Sequence, residues 1–147
     1  MNKEVLEALM ALGFELEEME EVGYGFQYEG KKFLYVDNEG DEKYLNIALP
    51  MVLDYDEEND VEFYQLMDML NHTLKYVKAH KLSDSMWLFY ERELFGNEDL
   101  KQVLCSMIIH LEVGLNFFRK VMAGHDGDSD TNDALVVADN EKDDEVA

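Results

Sequence analysis

Gly23-Tyr24-Gly25-Phe26-Gln27-Tyr28-Glu29-Gly30-Lys31-Lys32-Phe33-Leu34-Tyr35-Val36-Asp37 is the stretch that decides the fold. Phe26 and Tyr28 alternate with Gly25 and Gln27, and Phe33 and Tyr35 resume the alternation beyond Glu29-Gly30. Period-two patterning on both sides of a two-residue connection, with a glycine free to take positive φ, reads as an antiparallel hairpin. Working outward, residues 14–19 and 44–49 extend the hairpin to four strands, and Asn38-Glu39-Gly40-Asp41 turns the last connection. Leu45 and Ile47 continue the alternation, and Pro50, the only proline, closes the meander. One buried face and one wet face are expected.

Helical periods surround this meander. Residues 3–12 place Val5, Leu6, Leu9 and Leu12 on one face, and Gly13 stands where a left-handed helix terminus favours glycine. Asn59 and Glu62 form a capping pair ahead of the stripe Phe63, Leu66, Met67, Leu70 and Leu74. Around Tyr76 the period returns to two, giving a strand from there to about Leu82, a Ser83-Asp84 turn and a second strand at 86–94. Asn97 then caps a last helix whose stripe is Leu100, Leu104, Met107, Leu111, Leu115, Phe118 and Met122. The predicted class is α+β: an antiparallel sheet, β-meander plus β-hairpin, with three helices on one side in the order α-ββββ-α-ββ-α.

Composition bounds what such a domain does. The chain has 147 residues, 47% hydrophobic and 12% aromatic, enough for one packed domain. Its net charge of −22 disfavours nucleic acid and anionic membrane surfaces, and favours basic or amphipathic polypeptide partners. Residues 124–147 carry nine acids against one lysine, and a tail so composed is expected to be disordered beside a single domain at 1–123. The glutamates of Met1-Asn2-Lys3-Glu4-Val5-Leu6-Glu7 stand where a signal peptide is apolar, and no run is long enough to span a bilayer, so a cytoplasmic location is expected. Cys105 is the only cysteine, which excludes an intrachain disulfide; its apolar surroundings, Val103-Leu104-Cys105-Ser106-Met107, predict a buried structural thiol.

Little in the sequence reads as chemistry. His72, His80, His110 and His125 are dispersed over different elements, and the chain lacks a hydrolase elbow and a phosphate loop. Gly23-Tyr24-Gly25 precedes a strand, whereas a dinucleotide fingerprint opens a helix. Asp126-Gly127-Asp128-Ser129-Asp130 begins like a calcium loop, but Thr131 and Val137 occupy the glycine and bidentate glutamate positions. Acid pairs such as Glu17-Glu18 and Glu57-Glu58 read as solvated turns and strand edges. No catalytic residue, metal or cofactor is expected.

Aromatic density is the feature that points to recognition. Trp87, Phe89, Tyr90 and Phe95, together with Phe26 and Tyr28, exceed what a one-sided sheet hides, so these six are the candidate partner-binding residues. The nine methionines suit an adaptable surface, though they are also ordinary core filler.

Two stretches, Tyr28-Glu29-Gly30-Lys31-Lys32-Phe33-Leu34-Tyr35-Val36-Asp37 and Met69-Leu70-Asn71-His72-Thr73-Leu74-Lys75-Tyr76-Val77-Lys78-Ala79, carry a likeness in element order. The chain resembles the secretion-chaperone-like fold of type III secretion chaperones and the YbjN family of bacterial proteins. That resemblance implies a non-enzymatic, acidic, cytoplasmic protein that works as a homodimer and holds an extended segment of a protein client. The acidic tail and an apparent extra strand depart from the secretion chaperones, which favours a YbjN-like adaptor or regulatory role. The alternative reading is a regulatory domain that senses a small molecule in a pocket between sheet and helices. An enzyme with an unrecognised carboxylate site is the third.

Overall fold

The computed structural model describes residues 2–124 apart from Glu39. Helix α1 (Lys3–Ala11) is followed by strands β1 (Glu17–Met19), β2 (Gly23–Tyr28), β3 (Lys31–Val36) and β4 (Tyr44–Asp54). Helix α2 (Asp60–Thr73), strands β5 (Val77–Leu82) and β6 (Ser85–Glu93), and helix α3 (Leu100–Gly124) complete the order α-ββββ-α-ββ-α. The six strands form one antiparallel sheet in the order β1-β2-β3-β4-β6-β5. The fold class read from the sequence is therefore the one observed. Gly124, assigned by composition to the acidic tail, is the last residue of α3, and the tail beyond it lies outside the described residues.

Local chemistry explains the first elements. Asn2 caps α1 by accepting from the Glu4 and Val5 amides at 3.0 and 3.3 Å, and Gly13 leaves the helix at φ +98°. The β2–β3 turn holds both Glu29 and Gly30 at positive φ, the geometry that suits the right-handed twist of a two-residue hairpin. Strand β1 is shorter than its alternation suggested. Phe14 and Leu16 instead cross from α1 to the sheet edge and pack on the core, with the Phe14 ring 4.8 Å from Phe26.

Three boundaries differ from expectation for identifiable reasons. Pro50 does not end β4; the strand continues to Asp54, and its register against β6 slips between Leu49 and Leu53. A residue without an amide proton is tolerated where the ladder is already interrupted. Asn59 makes no side-chain cap, because the chain enters α2 through a 3₁₀ turn (Glu57–Asn59) whose first amides are met by Asp56 Oδ1, 3.0 Å from Glu58 N. Asn97 likewise does not cap α3: Asp99 Oδ1 accepts from the Gln102 amide at 3.3 Å.

The core lies between the sheet and the helices. Val5, Ala8 and Leu9 of α1, Phe63, Leu66 and Leu70 of α2, and Leu104, Met107, Leu111, Leu115 and Phe118 of α3 join one cluster with Phe26, Phe33, Tyr35, Leu45, Ile47 and Leu88. Helices thus cover one face of the sheet, and α3 places its stripe as its period predicts. Cys105 is exposed rather than buried. It follows Leu104 by one residue, about 100° around the helix, and so shares the outer side with Ile109 and Val113. The apolar character of α3 extends beyond the face it buries, which is why local composition misplaced the thiol.

Candidate functional site: the open face of the sheet

Strand alternation sends Phe33, Tyr35, Leu45, Ile47 and Leu88 toward the helices, and sends their neighbours the other way. That second face was expected to be wet, but it holds its own cluster. Leu34, Ala48 and Phe89 are buried there, with Met19, Val36 and Trp87 packed around them. The reason lies in the central strands, whose apolar runs Phe33-Leu34-Tyr35-Val36, Ile47-Ala48-Leu49 and Met86-Trp87-Leu88-Phe89-Tyr90 are continuous rather than alternating. Registers align the cluster across the sheet: Leu34 faces Ala48, Ala48 faces Phe89, and Phe89 faces Lys78. None of the described helices contributes a residue to this cluster.

Aromatic stacking gives the face its texture. The His80 ring lies 4.3 Å from Phe89 at an interplanar angle of 7°, and the Trp87 ring lies 5.9 Å from Phe89 at 13°. Polar groups sit at one side of this ladder. Asn46, on β4 two residues from Ala48, pairs in register with Glu91 of β6. It is only 6% exposed, and among the described residues its Oδ1 has no hydrogen-bond partner. Glu91 contacts the Lys78 ammonium at 2.5 Å, and burial pushes its carboxyl above the usual glutamate range. The Lys78 side chain remains more than half exposed.

The six aromatic candidates are not brought together. Phe26 is a core residue, 2% exposed, stacked on Phe33 at 5.6 Å, which removes it from any partner contact. Tyr28 shares its strand parity and lies half-buried against Phe33. Tyr90 also points to the helix side, stacked on Tyr76 and meeting His110 edge-on. Phe95 lies beyond β6 and is 75% exposed, on a turn whose Phe95 and Gly96 amides donate to the Glu98 carboxylate. These bonds and the Arg92 guanidinium hold the Glu98 carboxyl below its usual range. Trp87 and Phe89 share the open face, Trp87 half-buried and Phe89 only 5% exposed. Sequence reasoning missed Asn46 and Glu91. The signal available to it was a polar residue in the otherwise apolar run Leu45–Leu49.

The sheet edges constrain how a partner approaches. Strand β5 is an edge, as expected for the hairpin at 76–95, but it is not open along its length. The Asn71 amide group, on α2, accepts from Ala79 N at 2.7 Å and donates to Ala79 O at 2.8 Å, as a neighbouring strand would. Edges plugged in this way, and flanked by lysines such as Lys78 and Lys81, resist strand addition. Asn71→Ala is expected to cost about 1–2 kcal/mol, from the loss of two hydrogen bonds. Hydrogen exchange checks the assignment, since the Ala79 amide should lose protection before its neighbours on the β6 side. The opposite edge, β1, is three residues long and acidic.

A concavity of about 560 Å³ lies where the α1–β1 connection meets β2 and β3, lined by residues including Phe14, Leu16, Gly25 and Lys32. It sits at the sheet edge, not between sheet and helices. Among the described residues no group of three or more His, Cys, Asp or Glu is placed to hold a metal ion. No helix among them is long and apolar enough to cross a membrane.

No family model and no curated protein matches the chain. Its fold does have a counterpart among solved structures. The chain is similar to an uncharacterized protein from Methanothermobacter thermautotrophicus, with a TM-score of 0.61 over 85% of this chain and 99% of the other. At 14% identity the likeness is one of fold alone.

Proposed function

We propose that the protein is a non-enzymatic binding module that holds a segment of another polypeptide on the open face of its sheet. The observation that carries this reading is the second apolar cluster, Leu34, Ala48 and Phe89 rimmed by Met19, Val36 and Trp87, which none of the described helices covers. The centre of this cluster is closed, with Leu34, Ala48 and Phe89 0–5% exposed, so what a partner meets is its half-buried rim of Met19, Val36 and Trp87, and tryptophan is among the side chains that most often anchor such contacts. The client binding implied by the resemblance to secretion chaperones and YbjN-like proteins fits this face better than the plugged β5 edge. The same resemblance implies a homodimer.

Trp87→Ala is the informative variant, because Phe89 is buried and its truncation would test folding as much as binding. Wild type and Trp87→Ala are compared by affinity capture from native lysate, with circular dichroism confirming the fold of each. A stoichiometric polypeptide retained by wild type and reduced at least about tenfold by Trp87→Ala, the loss expected of an anchor worth about 2 kcal/mol, is the expected result. Equal retention by both proteins would remove the open face as the contact surface. A small metabolite in place of a polypeptide would favour the sensing alternative.

A further inference from the structure

Helix α3 has a second stripe, on the side turned away from the sheet. Cys105, Ile109, Val113, Asn116 and Lys120 follow one another at steps of four, four, three and four, opposite the buried stripe Leu104, Met107, Leu111, Leu115 and Phe118. Ile109 is 50% exposed and Val113 56%, so two branched aliphatic side chains stand next to each other in solvent at its centre. The charge of α3 is unusual for this chain. Lys101, Arg119 and Lys120 are exposed, and among the described residues none of the three makes an ion pair. The single acid of α3, Glu112, is taken up by Lys31 at 2.9 Å. In a protein of net charge −22, an aliphatic stripe that ends in unneutralised cations favours an acidic segment with an apolar centre.

The chain supplies such a segment itself. Leu135-Val136-Val137 stands between Asp133 and Asp139, and Asp126, Asp128 and Asp130 separate it from the end of α3. We propose that Leu135-Val136-Val137 docks in cis on the outer stripe of α3, over Ile109 and Val113, with the intervening aspartates passing Lys120 and Arg119. Chain length permits this. The 11 residues from Gly124 to Leu135 reach up to about 36 Å, whereas Val113 and Ile109 lie about 17 and 23 Å back along the helix. The net charges of domain and segment share a sign, so long-range attraction does not bring them together. Tethering does, because a linker of this length holds its end at a concentration on the order of millimolar, enough to populate a contact too weak to join separate molecules. The site is independent of the open face, since α3 covers the opposite side of the sheet.

The test uses the full chain, with the methyl groups of isoleucine, leucine and valine followed by NMR. Leu135→Ser combined with Val137→Ser is expected to shift the Ile109 and Val113 signals and to leave Val61, 64% exposed on α2, in place. Cys105 is exposed and is the only cysteine, so it takes a nitroxide label without any substitution. The label should broaden the Leu135, Val136 and Val137 methyls of its own chain. Val113→Asp, which sets a charge against the apolar run, should remove that broadening. If circular dichroism shows that this variant does not fold, Leu135→Ser repeats the comparison on the Val136 methyls without touching α3. Ile109 and Val113 signals unmoved by the double variant would overturn the proposal, as would movement at Val61 alone. In a mixed sample, broadening of an unlabelled chain by a labelled one, with none within a single chain, would overturn docking in cis and assign the stripe to a second copy. Absence of broadening in both arrangements would overturn it as well.

Discussion

Leu111→Ala is expected to destabilise the protein by about 2–5 kcal/mol, the cost of deleting a fully buried leucine and leaving a cavity. Leu111 is 0% exposed in the middle of α3, on the stripe that meets the sheet, and Leu104 two turns earlier is equally buried. Val113, two residues on, is 56% exposed, so Val113→Ala should stay within about 0.5 kcal/mol of wild type. Denaturant midpoints for the two variants read the face assignment directly. Similar midpoints for both would mean that α3 is rotated from the orientation described.

The second large effect is expected at Gly23. It opens β2 at φ +148°, paired to Met19 on one side and Val36 on the other. A Cβ built there would lie 1.9 Å from the Tyr35 carbonyl oxygen, and that oxygen belongs to the backbone of β3, which cannot swing aside as a side chain would. Gly23→Ala should therefore cost about 3 kcal/mol or more, combining backbone strain with overpacking. Gly30 is the control: its φ is +73°, but a Cβ there meets nothing within 4 Å, so Gly30→Ala should cost only the left-handed backbone penalty of about 1–2 kcal/mol. Melting temperatures that rank Gly30→Ala as the worse variant would contradict the close approach of β2 and β3 at Gly23.

Much of the architecture was legible because its determinants are local. The period of α3 identifies the residues it buries, since side chains three and four apart share a face whatever that face meets. Glu29-Gly30 specifies its hairpin through the positive φ of two adjacent residues. Helix starts were less legible, because several acids and asparagines compete at each one. Asp56 and Asp99, not Asn59 and Asn97, supply the capping oxygens, to the Glu58 and Gln102 amides, and nothing in the short-range pattern separates these candidates.

The candidate site was legible only in part. Trp87 and Phe89 stood out by type, but Phe26, Tyr28 and Tyr90 share that type and point to the helix side. Alternation tells which residues of one strand lie together; it does not say which face the helices will cover when both faces are apolar. Asn46 is marked in the sequence only as a polar residue within the apolar run Leu45–Leu49, and its surroundings appear only once Glu91, 45 positions away, is set opposite it. Asn71 is similar, an ordinary residue near a helix end until the fold brings the Ala79 backbone to it.

The sequence by itself determined the elements, their order and the α+β class, because propensity, turn geometry and side-chain period act over a few residues. Tertiary structure decided the strand order, with β6 inserted beside β4 and β5 left at the edge. It also decided that helices α1, α2 and α3 all join the same core, leaving Leu34, Ala48, Phe89 and Asn46 on the other face of the sheet. Those outcomes depend on contacts between residues far apart in the chain, and burial there is settled by what packs against a surface rather than by the surface's own composition.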